Sequence, residues 1–137
     1  MKEMIEIVVV GAHLSGMPLN HELTSRGAEF RRAVETERAY RLYALAGASP
    51  MRPGLLRVAD GTGHAIATEV WALPAGGFGS FVNAIPAPLC VGTLRLADGT
   101  SPKGFLVEPE GLAGASDISS FGGWRSFLAA QKANVGS

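Results

Sequence analysis

Eighteen glycines cut this 137-residue chain into short segments. Gly47, Gly54, Gly61, Gly63, Gly76, Gly77, Gly79, Gly99, Gly122 and Gly123 cluster at the ends of apolar or alternating runs. Punctuation this dense marks segment ends throughout the chain. It favours many short strands joined by tight turns.

The runs between the glycines fit that frame. Glu6 to Val10 is continuously apolar after its first residue, which predicts a strand buried on both faces. Pro18 to Ser25 suits a short helix ended by Gly27. Glu29 to Val34 and Ala39 to Leu45 suit strands, and Ala48 to Pro53 is a loop. Gly54 to Val58 and His64 to Leu73 flank Asp60-Gly61-Thr62-Gly63, a turn that predicts a hairpin between them. Gly79 to Ile85 has helical potential, stopped by Pro86 and Pro88. Cys90 to Leu96 and Lys103 to Glu108 predict a second hairpin around Asp98-Gly99. Trp124 to Lys132 reads as a terminal helix, with Trp124, Phe127 and Leu128 on one face. About seven strands and two or three short helices, without βαβ alternation, predict an α+β domain with a curved, mixed or mostly antiparallel sheet. Residues 1–137 read as one domain, with 133–137 as a frayed tail.

The charge balance narrows the partners. Twelve basic and twelve acidic residues cancel, and no basic run exceeds Arg31-Arg32, so the footprint of a nucleic-acid binder is missing. Cys90 is the lone cysteine, which excludes a disulfide framework or a cysteine-built zinc site within one chain. A reducing, cytoplasmic setting fits that usage. No stretch approaches the ~20 apolar residues of a membrane helix, and the N-terminus lacks the pattern of a signal peptide.

Two residues stand out chemically. His13 follows a buried strand by way of Gly11, and a strand that stops at a glycine presents the next amides and side chains at a sheet end. An imidazole with an ordinary pKa near ~6.5 exchanges protons at neutral pH. The amides around Gly11, Ala12 and Leu14 could hold an anion without basic side chains. The alternative is a histidine that caps a turn. Glu69 lies in an apolar strand beside Trp71. Partial desolvation there would raise its pKa and suit acid/base work. The alternatives are a solvated strand face or an ion pair with an arginine such as Arg41. Arg41, Tyr43 and Lys103 are polar groups within apolar strands, one of which a carboxylate substrate would need for orientation, with surface solubility as the alternative role of each. No histidine spacing suggests a metal site.

Several segments together carry a resemblance. Val10-Gly11-Ala12-His13-Leu14-Ser15-Gly16-Met17-Pro18-Leu19-Asn20, Tyr40 to Leu45, Glu69 to Pro74, Ile85 to Leu89, Lys103 to Leu106 and Phe121 to Trp124 resemble the C-terminal domain of allophanate hydrolase, in order, from about Glu6 to Ala130. The resemblance implies a γ-glutamyl cyclotransferase-like fold, a small mixed β-barrel with short helices. It implies decarboxylation of N-carboxycarbamate, the product of an amidase acting on allophanate, in urea and nitrogen catabolism. The family's loop histidine corresponds to His13, which would be catalytic. Gly11, Ala12 and Leu14 would anchor a small anionic carboxylate, with Tyr40, Arg41 and Glu69 as further contacts. Neither metal nor organic cofactor is called for.

Cyclotransferase relatives carry a Tyr-Gly-Ser-Leu loop and a strand glutamate as acid/base. Here the loop reads Gly11-Ala12-His13-Leu14, while Glu69 matches the glutamate. A γ-glutamyl cyclotransferase-like activity through Glu69 is therefore one alternative. A binding or assembly module for a separate amidase is another. No amidase signature occurs in the chain, so it is either a fragment or a stand-alone domain acting on a partner's product; the initial methionine and short N-terminus favour the second.

Overall fold

A computed structural model describes residues 3–47 and 50–135. Eight strands, three α-helices and two short 3-10 turns occur among these residues. Strand β1 (Met4–Val9) runs through the middle of a five-stranded sheet of order β2-β5-β1-β7-β6. Its neighbours are β5 (Ala67–Pro74), antiparallel, and β7 (Lys103–Val107), parallel. A central strand buries both faces, and Ile7, Val8 and Val9 are fully enclosed, as the apolar run predicts. The edges are β2 (Glu29–Glu35) and β6 (Leu89–Thr93). Strands β6 and β7 form the hairpin expected around Asp98-Gly99.

The other expected hairpin does not form. Strand β4 (Pro53–Arg57) pairs with β3 (Tyr40–Ala44), and β3 pairs in turn with β8 (Ser116–Asp117), making a separate three-stranded sheet. Strand β5 instead fills the slot between β2 and β1. The Asp60–Gly63 turn folds back on β3's entry. The amides of Gly61 and Gly63 donate to the Arg38 carbonyl, and Asp60 pairs with Arg57 and Arg95. The α+β class is as expected, but the two sheets are not closed into a barrel.

Helix α1 (His21–Thr24) is one turn, shorter than the 18–25 segment suggested, because residues 14–20 fold into successive backbone turns instead. Helix α2 (Ala75–Asn83) starts four residues before Gly79. Pro74 precedes its first residue with a φ suited to a helix entry. Gly77 is needed there: a Cβ at that position would lie 2.5 Å from the Arg26 carbonyl oxygen, so the glycine lets α2 pack against the α1 turn. Helix α3 (Trp124–Val135) buries Trp124 and Phe127, with Leu128 half-buried against the same core. The helix thus covers part of the tail expected to fray, and residues 136–137 of that tail lie outside the described residues, as do 48–49 of the expected loop. No described helix is long and apolar enough to cross a membrane.

Candidate functional site

The chain leaves β1 at Val10 and turns at once. Leu14 donates to the Gly11 carbonyl (3.0 Å), Met17 to Leu14 (3.0 Å) and Leu19 to Ala12 (2.8 Å). Asn20 Nδ2 holds the His13 carbonyl at 2.8 Å. These bonds fold residues 11–20 into a knuckle over the sheet end. Gly11 is required inside it, because a Cβ there would lie 2.3 Å from two ring carbons of Pro53.

His13 is buried, with 7 % of its surface exposed. Its ring meets Phe81 edge-on at 5.1 Å and Phe105 at 5.3 Å. Nε2 lies 2.7 Å from Oε1 of Glu22, in the α1 turn. A carboxylate only accepts, so Nε2 carries the proton of that bond and Nδ1 is the bare nitrogen of the neutral ring. Nδ1 has no hydrogen-bond partner among the described residues. Burial is the strongest influence on the ring and lowers its pKa below the ordinary histidine value. The hydrogen bond and charge of Glu22 oppose this without overcoming it, and the charges of Arg52 and His21 add to the lowering.

A cavity of about 90 Å³ opens beside the ring, walled by His13, Glu22, Arg52, Phe81, Ile85 and Phe105 among others. Arg52 makes no ion pair or side-chain hydrogen bond among the described residues. It also borders a narrow cleft reaching Gly11 and Ala12, and a larger groove of about 320 Å³ along Pro86 to Leu89. A small enclosed space with an imidazole, an unpaired guanidinium and aromatic walls suits a small carboxylate. Arg52 is absent from the sequence-based candidates. The one signal for it is Pro50-Met51-Arg52-Pro53, an arginine held in a segment that prolines stiffen.

Glu69 is 5 % exposed, as its apolar strand suggested. Its partner is Arg125 at 3.1 Å, not Arg41, and its carboxylate also accepts from the Ser15 amide, the Ser15 hydroxyl and Trp71 Nε1. Burial pushes its pKa up, but those donors together outweigh burial and leave it below the usual carboxylate value. The expected upward shift is therefore reversed.

Glu69 also opens onto a different pocket from His13, one shared with Leu14, Trp124 and Arg125. Of the other candidates, Gly11 and Ala12 lie with His13 and Arg52. The Leu14 amide is engaged by Gly11, so it does not face an anion. Tyr40 is fully enclosed, and its hydroxyl accepts the Arg95 amide at 2.9 Å, far from a substrate-holding role. Arg41 is exposed on β3, and its charge acts on Asp117.

The α+β arrangement of a five-stranded sheet centred on β1 beside a three-stranded sheet defines a structural class. γ-Glutamyl cyclotransferase shares the fold, with a TM-score of 0.61 over 84 % of this chain and 70 % of that one, at 11 % identity. Within the class, the chain belongs to the allophanate hydrolase C-terminal domain family, whose model matches residues 5–129. It is 39 % identical over 127 residues to urea amidolyase of Saccharomyces cerevisiae, covering 90 % of this chain and 7 % of that protein. Kluyveromyces lactis allophanate hydrolase superimposes with a TM-score of 0.89 at 38 % identity, covering 93 % of this chain and 21 % of that one. A protein specific to uropathogenic E. coli superimposes with a TM-score of 0.84 at 31 % identity, covering 93 % and 97 %. The chain thus spans a small part of the urea amidolyase and allophanate hydrolase relatives, and a match to most of the E. coli protein.

Proposed function

We propose that this domain decarboxylates N-carboxycarbamate, the dianion that an amidase releases from allophanate, with His13 as proton donor. The observation that carries the reading is His13 bonded to Glu22 in a small cavity that also holds Arg52, which has no ion-pair partner among the described residues. An amidase acting on allophanate supplies the substrate, in line with the names of the longer relatives, urea amidolyase and allophanate hydrolase.

The chemistry needs one proton at one atom. When a carboxyl group leaves as carbon dioxide, the electron pair of its C–N bond stays on nitrogen. Protonating that nitrogen as the bond breaks avoids a nitrogen anion and leaves carbamate. Carbamate then falls apart to ammonia and carbon dioxide. In the free protein, burial keeps His13 neutral. A dianion in the cavity reverses the balance, since it pairs with Arg52 and adds negative charge beside the ring. His13 then takes up a proton and becomes an imidazolium. Glu22 stabilises the imidazolium and fixes the ring through Nε2, and Nδ1–H is the proton delivered to substrate nitrogen. Arg52 holds the carboxylate that stays, and the cleft at Gly11 and Ala12 borders the same space.

A coupled assay tests this. An amidase generates N-carboxycarbamate, and carbon dioxide release is followed with and without the domain. Wild type should accelerate release, and His13→Ala should fold yet leave the uncatalysed rate. Wild-type release at the uncatalysed rate would refute the reading. A cyclotransferase role for Glu69 is disfavoured by the four donors on its carboxylate, which occupy the oxygens that a general base would need free.

A further inference from the structure

The loop that carries His13 is held on its other side by a charged knot that the proposed reaction does not use. Ser15, two residues past His13, gives its amide and its hydroxyl to the two oxygens of Glu69, each at 2.8 Å. One nitrogen of Arg125, Nη2, meets three acceptors: the Ser15 carbonyl at 2.6 Å, the Ser15 hydroxyl oxygen at 3.1 Å and Glu69 Oε2 at 3.1 Å. Trp71 Nε1 completes the set on Glu69 at 3.1 Å. The Ser15 hydroxyl donates to Glu69 and accepts from Arg125, so its orientation is fixed. A carboxylate has about four acceptor sites, and these donors fill them.

The knot joins three segments that are distant in sequence: the loop after β1, the middle of β5 and the first turn of α3. Helix α3 contributes no residue to the His13 cavity, yet through Arg125 it grips the loop two residues away. The Arg125 side chain is 47 % exposed, so its contacts can break without opening the core. On the other flank, Asn20 and Leu19 hold the carbonyls of His13 and Ala12. His13 sits between the two restraints.

We propose that Arg125 and Glu69 are positioning residues: the knot they form with Ser15 sets the place of the His13 ring against Glu22 and beside Arg52. This rests on His13 being the working residue of the cavity. It assigns Glu69 a task other than acid/base chemistry, and it makes the seating of α3 a condition for an ordered site.

Arg125→Ala, Arg125→Lys and Glu69→Gln are compared with wild type by thermal melting, by NMR titration of the His13 ring, and by binding of malonate as a small dicarboxylate probe. Arg125→Ala should stay folded. Its His13 midpoint should rise toward the ordinary histidine value as the loosened loop admits water, and its malonate dissociation constant should rise about fivefold to tenfold, the effect of about one ordinary hydrogen bond. Arg125→Lys should recover part of both changes, because an ammonium still reaches Ser15 and Glu69. If Arg125→Ala does not fold, Arg125→Lys and Glu69→Gln decide on the same readouts.

A lower melting temperature with His13 titration and malonate affinity unchanged would make the knot merely structural and overturn the proposal. So would a Glu69→Gln variant that loses carbon dioxide release while His13 titrates as in wild type, since Glu69 would then do the chemistry. If wild type neither binds malonate nor speeds release, the functional reading fails by itself, and the His13 titrations still decide whether the knot positions the ring.

Discussion

Gly11 is where the site's architecture can be tested with one methyl group. A Cβ at Gly11 would lie 2.3 Å from Pro53 Cδ and Cγ. That is far inside carbon–carbon contact, and a proline ring cannot swing away as the end of a long side chain could. Either the loop or the start of β4 must move. Overpacking of this kind costs about 1–3 kcal/mol, and a contact this short points to the upper end. The added methyl regains about 0.8 kcal/mol of burial and roughly 0.5 kcal/mol through a less flexible unfolded chain. Gly11→Ala should therefore lose about 1–2 kcal/mol net, or roughly 3–8 °C in melting temperature for a domain this size. Gly79→Ala is the control. It lies within α2, and a Cβ there meets nothing within 4 Å. It should gain about 0.5–1 kcal/mol from helix propensity. Urea unfolding followed by the fluorescence of the buried Trp71 and Trp124 measures both. Because Pro53 adjoins Arg52, Gly11→Ala should also weaken malonate binding. Equal stability of Gly11→Ala and wild type would refute the close-approach argument.

Three further predictions follow from the same contacts. Arg52→Ala should weaken malonate binding about tenfold or more by calorimetry, with the melting temperature unchanged, since Arg52 pairs with nothing among the described residues. Ser119→Ala should cost roughly 1–3 kcal/mol in urea unfolding, because the buried Ser119 hydroxyl accepts the Leu42 amide at 2.8 Å and leaves it unpaired when removed. Stability should fall on the acid side in two steps. His13 has a lowered pKa in the folded state, so its contribution is full above the ordinary ~6.5 and is lost as pH falls below that. Glu69 is also lowered, so its contribution is present above the ordinary ~4.3 and is lost as pH falls through its folded value. Urea midpoints across pH should show both steps, and His13→Asn should remove only the first.

What could be read ahead of the structure were features that a short stretch determines by itself. The apolar run into Gly11 dictated a strand enclosed on both faces. The spacing of Trp124, Phe127 and Leu128 dictated the buried face of α3. Asp98-Gly99 dictated a hairpin. Asp60-Gly61 carried the same local signal and led elsewhere, because a turn fixes only that the chain reverses, not which strand it then joins. Here Arg38, Arg57 and Arg95 bind the turn and carry it over β3's entry. The strand also showed that Glu69 is buried but not its charge state, since two of its partners, Ser15 and Arg125, lie 54 and 56 residues away. Arg52 was hidden for a related reason. It belongs to no periodic run, and it shares a cavity with a histidine 39 positions earlier in the sequence only because Pro53 packs on Gly11.

The loop after β1 has two faces with opposite chemistry. His13 lines a small cavity, and burial there lowers its pKa. Ser15 points into a site where an equally buried group, Glu69, keeps its charge because four donors replace the water it lost. Burial alone thus does not mark which titratable group works and which one holds. The difference lies in unfilled hydrogen-bonding capacity. Among the described residues, His13 has an unengaged Nδ1 and an unpaired cation beside it, whereas the oxygens of Glu69 are all in use. By that criterion the two residues that sequence placed side by side as acid/base candidates separate into one with a nitrogen open to a ligand and one whose oxygens are all engaged, which is the division of labour proposed above.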